Sequence, residues 1–116
     1  MKPTEEEARV ARNESLFRYV NERIAETADS AAWDETHFVC ECDDPACQHR
    51  LELPLEQYEQ VRTESTQFIV AHGHDNPDHE AVVKRRPDYA IVRKLGQRVV
   101  AMVRRSDPRS NVNRER

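Results

Sequence analysis

Three cysteines fall within eight residues, Cys40, Cys42 and Cys47 in the stretch "FVCECDDPACQHRLEL" (residues 38–53), and the chain has no others. Thiolates are soft donors that favour zinc, which takes four ligands in a tetrahedron. Residues two apart on an extended strand face the same side, so Cys40 and Cys42 can address one ion. The turn-forming "DDPA" between them and Cys47 reverses the chain and brings the third thiol back. The spacing C-x-C-x4-C is less specific than two C-x-x-C pairs, and free cysteine also packs as a small apolar residue. The acidic, turn-rich surroundings suit a metal knuckle better than a plain core.

A tetrahedral ion needs a fourth ligand, and two histidines compete for the place. His49 would make a local hairpin site, with Cys42 opposite Cys47 and Cys40 opposite His49. His74, in "HGHD", would tie the second half of the chain to the first, with Gly73 allowing a close backbone turn. "HGHDNPDH" also echoes the cysteine spacing, since His72, His74 and His79 stand in H-x-H-x4-H register. Exposed loop histidines around one structural ligand explain that echo better than a second metal site.

The elements that must hold these ligands can be read around them. Residues 3–29 read as one long helix, with Thr4 as its cap and Glu5, Glu6 and Glu7 suited to the positive helix start. Val10, Phe17, Val20 and Ile24, widened by Leu16 and Ala11, form its apolar stripe, interrupted by Asn13 and Thr27. "DSAAWDET" ends the helix, and Trp33 pins the link to the core. "HFVCEC" and "CQHRLEL" form a knuckle hairpin. Pro54 opens a short helix with Leu55, Tyr58 and Val61 at helical spacing, and "TQFIVA" is a buried strand. Pro77, capped by Asn76, begins another short helix reaching about Lys84. "DYAIVRKL" and "RVVAMVRR", joined at Gly96 and Gln97, predict a closing hairpin. The expected fold is α+β: a long N-terminal helix (residues 1–30), a zinc-binding domain with a small, mostly antiparallel sheet and short helices (37–105), and a disordered basic tail (106–116).

Several stretches resemble a family of small, functionally uncharacterised bacterial proteins, chiefly actinobacterial. They are "RNESLFRYVNERI" (residues 12–24), "FVCEC" with Cys47, "LPLEQYEQVR" (53–62), and Gly73-His74 followed by Pro77 and "EAVV". The likeness covers about residues 12–95. The family pattern includes the histidine of the G-H pair and not the position of His49, so the resemblance implies Cys40, Cys42, Cys47 and His74 as the ligand set. It brings no activity with it.

Composition narrows the function classes. The 116 residues carry a net charge of −4, but unevenly. Residues 1–83 hold 7 Lys or Arg against 19 Asp or Glu, and residues 84–116 hold 11 against 3, so an acidic body (−12) precedes a basic end (+8). No run approaches the roughly 18 apolar residues of a membrane span, and the opening "MKPTEEEARVARNE" lacks a signal peptide's apolar stretch, so the cytoplasm is the expected compartment. The chain has no P-loop, no Ser-His-Asp order and only two glycines, Gly73 and Gly96. Three thiolates would make any bound zinc a weak Lewis acid, so an enzyme is not expected. The expected role is a zinc-stabilised protein-interaction or regulatory module that docks a protein partner through the N-terminal helix. The alternative is nucleic-acid binding by the basic C-terminal region, Lys84, Arg85, Arg86, Arg93, Lys94, Arg98, Arg104, Arg105, Arg109, Arg114 and Arg116.

Overall fold

The computed structural model describes residues 2–28 and 35–109. Helix α1 spans Glu5–Thr27. The Thr4 hydroxyl accepts the Glu7 N–H while the Glu7 carboxylate accepts the Thr4 N–H, a reciprocal cap that satisfies two otherwise orphaned donors. Strands β1 (Thr36–Val39) and β2 (Arg50–Leu53) form the expected antiparallel knuckle hairpin, in register from Thr36 opposite Leu53 to Val39 opposite Arg50. Helix α2 (Leu55–Val61) follows, buries Tyr58 and Val61, and stacks the Tyr58 ring on Phe38 of β1 with centroids 4.4 Å apart. Strands β3 (Gln67–Val70), β4 (Glu80–Arg85) and β5 (Ala90–Lys94) make a second antiparallel sheet in the order β3-β5-β4. Helix α3 (Gln97–Arg105) closes the fold against α1. The architecture is the expected α+β one, a long helix followed by small antiparallel sheets and short helices.

Two elements differ from the sequence reading. "RVVAMVRR" is a helix and not the second arm of a hairpin. Its valines suggested a strand, but β5 already has β3 on one side and β4 on the other, so no edge is open beside it. Val99 and Val103, four apart, are buried as a helical face. Gly96 does take a positive φ of 90°, as the turn required, yet it starts α3. The second difference lies after Pro77. Asn76 makes a cap-like turn, its side chain accepting the Asp78 N–H and its backbone carbonyl those of His79 and Glu80. The chain then enters β4 and pairs with β5, because the β-branched run in "EAVV" gains more from the sheet than from a short exposed helix.

Helix α1 is rotated from its expected orientation. Its buried residues are Val10, Ala11, Glu14, Arg18, Asn21 and Glu22, whereas Leu16 is 60% and Val20 37% exposed. At about 100° per residue the buried face lies roughly 90° away from the apolar stripe. The reason is in what faces it. Lys94 stands between Glu14 and Glu80, all three fully buried. Arg18 lies 3.7 Å over the Phe68 ring and donates to the Gln67 carbonyl of β3. Glu22 accepts from Tyr58 (2.7 Å), Arg62 (3.0 Å) and Arg109 (2.7 Å). Val10 and Ala11 of the expected stripe are buried and Ile24 packs against the core, and ion pairs form the rest of the seam. Asp107 and Arg109, assigned by sequence to the disordered tail, are part of it: Asp107 is buried against Arg62, and Arg109 bridges Glu22 and Glu59. Trp33 and residues 110–116, including Arg114 and Arg116, lie outside the described residues.

Candidate metal centre

The knuckle begins where β1 ends. Cys40 donates its N–H to the His49 carbonyl, continuing the hairpin one step, and the next N–H, of Glu41, crosses to the Ile69 carbonyl of β3. The chain between the sheets is thus extended, with Cys40 and Cys42 on one side and Glu41 on the other. Asp44 then turns it, its side chain accepting the Ala46 N–H and its carbonyl the Cys47 N–H. His74 arrives from the loop after β3. Its N–H donates to the Ala71 carbonyl, a turn that Gly73 permits with φ at 81°.

These turns bring the side-chain donors of Cys40, Cys42, Cys47 and His74 within 4.8 Å of one another. His74 Nδ1 lies 3.6 Å from the sulfurs of both Cys40 and Cys47. A tetrahedral ion with sulfur at about 2.3 Å and nitrogen at about 2.0 Å separates those atoms by roughly 3.5 Å. The donor set, three soft thiols and an imidazole, fits such an ion, and the cluster could hold one. Cys40 and Cys42 are buried while Cys47 is half-buried, so the cluster sits at the surface end of the core. Of the two rival histidines it is His74 that joins the thiols. His49 is exposed and packs edge-on against the His74 ring at 4.6 Å.

The three thiols influence one another's ionisation. The mutual influence of Cys40 and Cys42 is the largest cause pushing the Cys40 thiol up and the Cys42 thiol down, Cys42 to about 5. Burial is the main influence raising Cys47. Three thiols at such distances cannot all ionise alone. A divalent ion among them supplies the charge that lets them do so.

The remaining histidines of "HGHDNPDH" diverge. His72 Nε2 meets the Arg86 and Pro87 carbonyls, and His79 Nε2 meets Glu6 of α1 at 2.9 Å. Glu41, between Cys40 and Cys42, points into the core. Burial raises its pKa, Arg18 opposes that, and its oxygens accept from Ile69 and Asn21.

Two supports of the site escaped the sequence reading. Asn21 of α1 clamps Val39 like a neighbouring strand, accepting its N–H and donating to its carbonyl, both at 2.8 Å. Asn13 donates to the Asp43 carbonyl at 3.0 Å. Their signal was present as polar interruptions of the α1 stripe at helical spacing. Asn13, Glu14, Arg18, Asn21 and Glu22 are polar positions of the "RNESLFRYVNERI" stretch that are buried or half-buried, whereas Arg12 and Arg23 in the same stretch are exposed.

The basic C-terminal region is partly engaged within the chain. Lys94 is buried with Glu14 and Glu80, Arg98 meets Glu7, and Arg109 bridges Glu22 and Glu59. Lys84, Arg85, Arg93, Arg104 and Arg105 are exposed. Compared with protein family models, curated proteins and solved structures, the chain matches none. Among the described residues no helix is long and apolar enough to cross a membrane.

Proposed function

We propose that this chain is a non-enzymatic protein-interaction or regulatory module whose fold is fastened by a structural zinc ion. One observation carries the reading: the donor atoms of three thiols and His74 lie within 4.8 Å of one another, a set that could hold one ion. A catalytic zinc keeps a position for water, whereas a site closed by four side chains serves the fold. Here it joins the knuckle after β1 to the loop after β3, beside the hydrogen bonds from Ala71 to Cys40 and from Asn76 to Asp43.

The interaction half of the reading is supported by the outward face of α1. Leu16, Tyr19 and Val20 are 60%, 50% and 37% exposed on one side of the helix. Beside them a groove of about 520 Å³ runs between α1 and α3, lined by Ala11, Ser15, Leu16, Met102 and Ser106 among others. An amphipathic helix of a partner protein, laid along that groove, is the occupant this shape suits. Nucleic-acid binding is the weaker reading, because Lys94, Arg98 and Arg109 face acidic partners of the same chain.

Metal analysis of purified protein tests the first half. About one zinc per chain is expected, as for a closed four-ligand site. Cys47→Ser should lose it, and His74→Ala should weaken it more than His49→Ala. Equal zinc content in all three variants overturns the assignment. For the second half, Leu16→Glu with Tyr19→Ala should leave zinc content and thermal midpoint unchanged and abolish the partner complex recovered with the unaltered chain. Recovery of the same complex by both would remove α1 from the interface.

A further inference from the structure

The cluster's three sulfurs are not equally placed. Cys40 is the most enclosed: it is fully buried, its sulfur accepts the Ala71 N–H at 3.2 Å, and its backbone N–H is bonded to His49. Cys47 is half-buried on the turn of residues 43–47, where Asp44, Pro45 and Ala46 are exposed. Cys42 lines a cavity of about 360 Å³ that opens beside the site, together with Asp43, Gly73, His74 and Asp75. Cys47 is therefore the thiol nearest to solvent, and Cys42, itself buried, stands at the other end of the exposed turn that carries Cys47.

Resting on the zinc reading above, we infer that Cys47 and Cys42 form a peroxide-responsive pair whose oxidation opens the clasp. The Cys47 thiolate attacks one oxygen of hydrogen peroxide and the O–O bond breaks, leaving a sulfenic acid and hydroxide, which leaves as water with a solvent proton. The Cys42 thiolate then attacks the sulfenic sulfur, the S–S bond forms, and a second hydroxide leaves as water. Two thiolates lose two electrons, and one peroxide with two protons becomes two waters. The donor atoms already lie within 4.8 Å, and the short exposed turn can supply the approach to the S–S distance of about 2.05 Å.

The consequence is directional. Cys40 and His74 remain, and two protein ligands are too few to hold zinc. Cys40 stays bonded to Ala71 whatever becomes of the ion, so the β1–β3 connection persists. His74 and its loop lose their attachment to the turn, apart from the Asn76 side chain's bond to Asp43. Oxidation would then loosen the surface around residues 43–47 and 72–76 and leave the core folded. This goes beyond a static clasp and gives the regulatory role a chemical input.

The test uses the whole zinc-loaded chain. Metal is quantified first, then peroxide is added in stoichiometric steps. Zinc release is followed with a metal indicator, the disulfide is mapped by mass spectrometry of proteolytic fragments, and folding is followed by circular dichroism. About one zinc released per peroxide consumed is expected, with a Cys42–Cys47 bond, retained helicity, and recovery on adding dithiothreitol and zinc. A Cys47→His chain, able to ligate but not to oxidise at that position, should keep its zinc under the same treatment. Zinc-loaded protein that keeps its metal, forms a Cys40–Cys42 bond instead, or unfolds on oxidation overturns this inference alone. A chain that carries no zinc before peroxide overturns the metal reading and this inference with it. Should Cys47→His bind no metal, the disulfide map of the unaltered chain decides.

Discussion

Asn21 is a small side chain with a large structural consequence. Its amide fills the place of a neighbouring strand beside Val39 and also donates to Glu41, so the segment leading to Cys40 is held from both sides. Asn21→Ala would leave a buried N–H, a carbonyl and a carboxylate without that partner, and should cost about 2 to 3 kcal/mol in urea unfolding of the zinc-loaded protein. Lys94 is the other sensitive position. Lys94→Met leaves Glu14 and Glu80 facing each other without their cation and should cost about 3 to 5 kcal/mol. Adding Glu14→Leu and Glu80→Gln should recover most of it, because an apolar or neutral replacement removes the uncompensated charge as well as the attraction. The three thiols of the cluster were legible in the sequence from their strand and turn spacing, whereas that spacing left His49 and His74 both open, and it is the fold that places His74 beside the thiols. Asn21 and Lys94 were not legible, because a polar residue at helical or strand spacing reads as solvated until its partner, here tens of residues away, is known.

Among the elements, β-strand and helix were told apart correctly wherever one periodicity stood alone, as in α1, β1, β2, α2 and β3. They were confused where valines obey both. "VVAMV" satisfies a strand by composition and a helix by the spacing of Val99 and Val103, and only the occupied edges of β5 decide between them. The same tertiary choice turned a capped start at Asn76 into the approach to β4. The two glycines mark the joints of these elements and can be separated by experiment. Both have positive φ, and a methyl group added at either meets nothing within 4 Å, so the cost of alanine is conformational. Gly96→Ala should lower stability by about 1 to 2 kcal/mol with zinc stoichiometry unchanged. Gly73→Ala should show a similar strain and, in a competition titration against a chelator, a weaker hold on zinc, because the strained turn carries His74.

For the molecule as a whole, charge divided along the sequence is rejoined in space. The acidic α1 and α2 meet the basic end through Glu22, Glu59, Arg62 and Arg109. Burial would raise Glu22, but hydrogen bonds from Arg109 and Tyr58 and the charge of Arg62 outweigh it and hold it below 4.5. Asp107 is likewise held below 3.8, burial being overcome by Arg62 and Ser65. A carboxylate lowered on folding stabilises above its unfolded pKa and loses that contribution as pH falls through the folded one. Glu14 and Glu41, raised by burial, act in the opposite sense, favouring the fold at low pH and losing that contribution as pH rises. Urea midpoints measured as pH falls below 4.5 should therefore drop more in the unaltered chain than in one carrying Glu22→Gln and Asp107→Asn. A steeper loss in the variant would contradict the assignment. The polar inner face of α1 also bears on how the chain is made. Its partners Lys94 and Arg109 are synthesised well after it, so the helix waits with its contact surface uncovered until they emerge. Because that surface carries Glu14, Arg18, Asn21 and Glu22, water satisfies it in the meantime, and the nascent chain offers little for other nascent chains to adhere to.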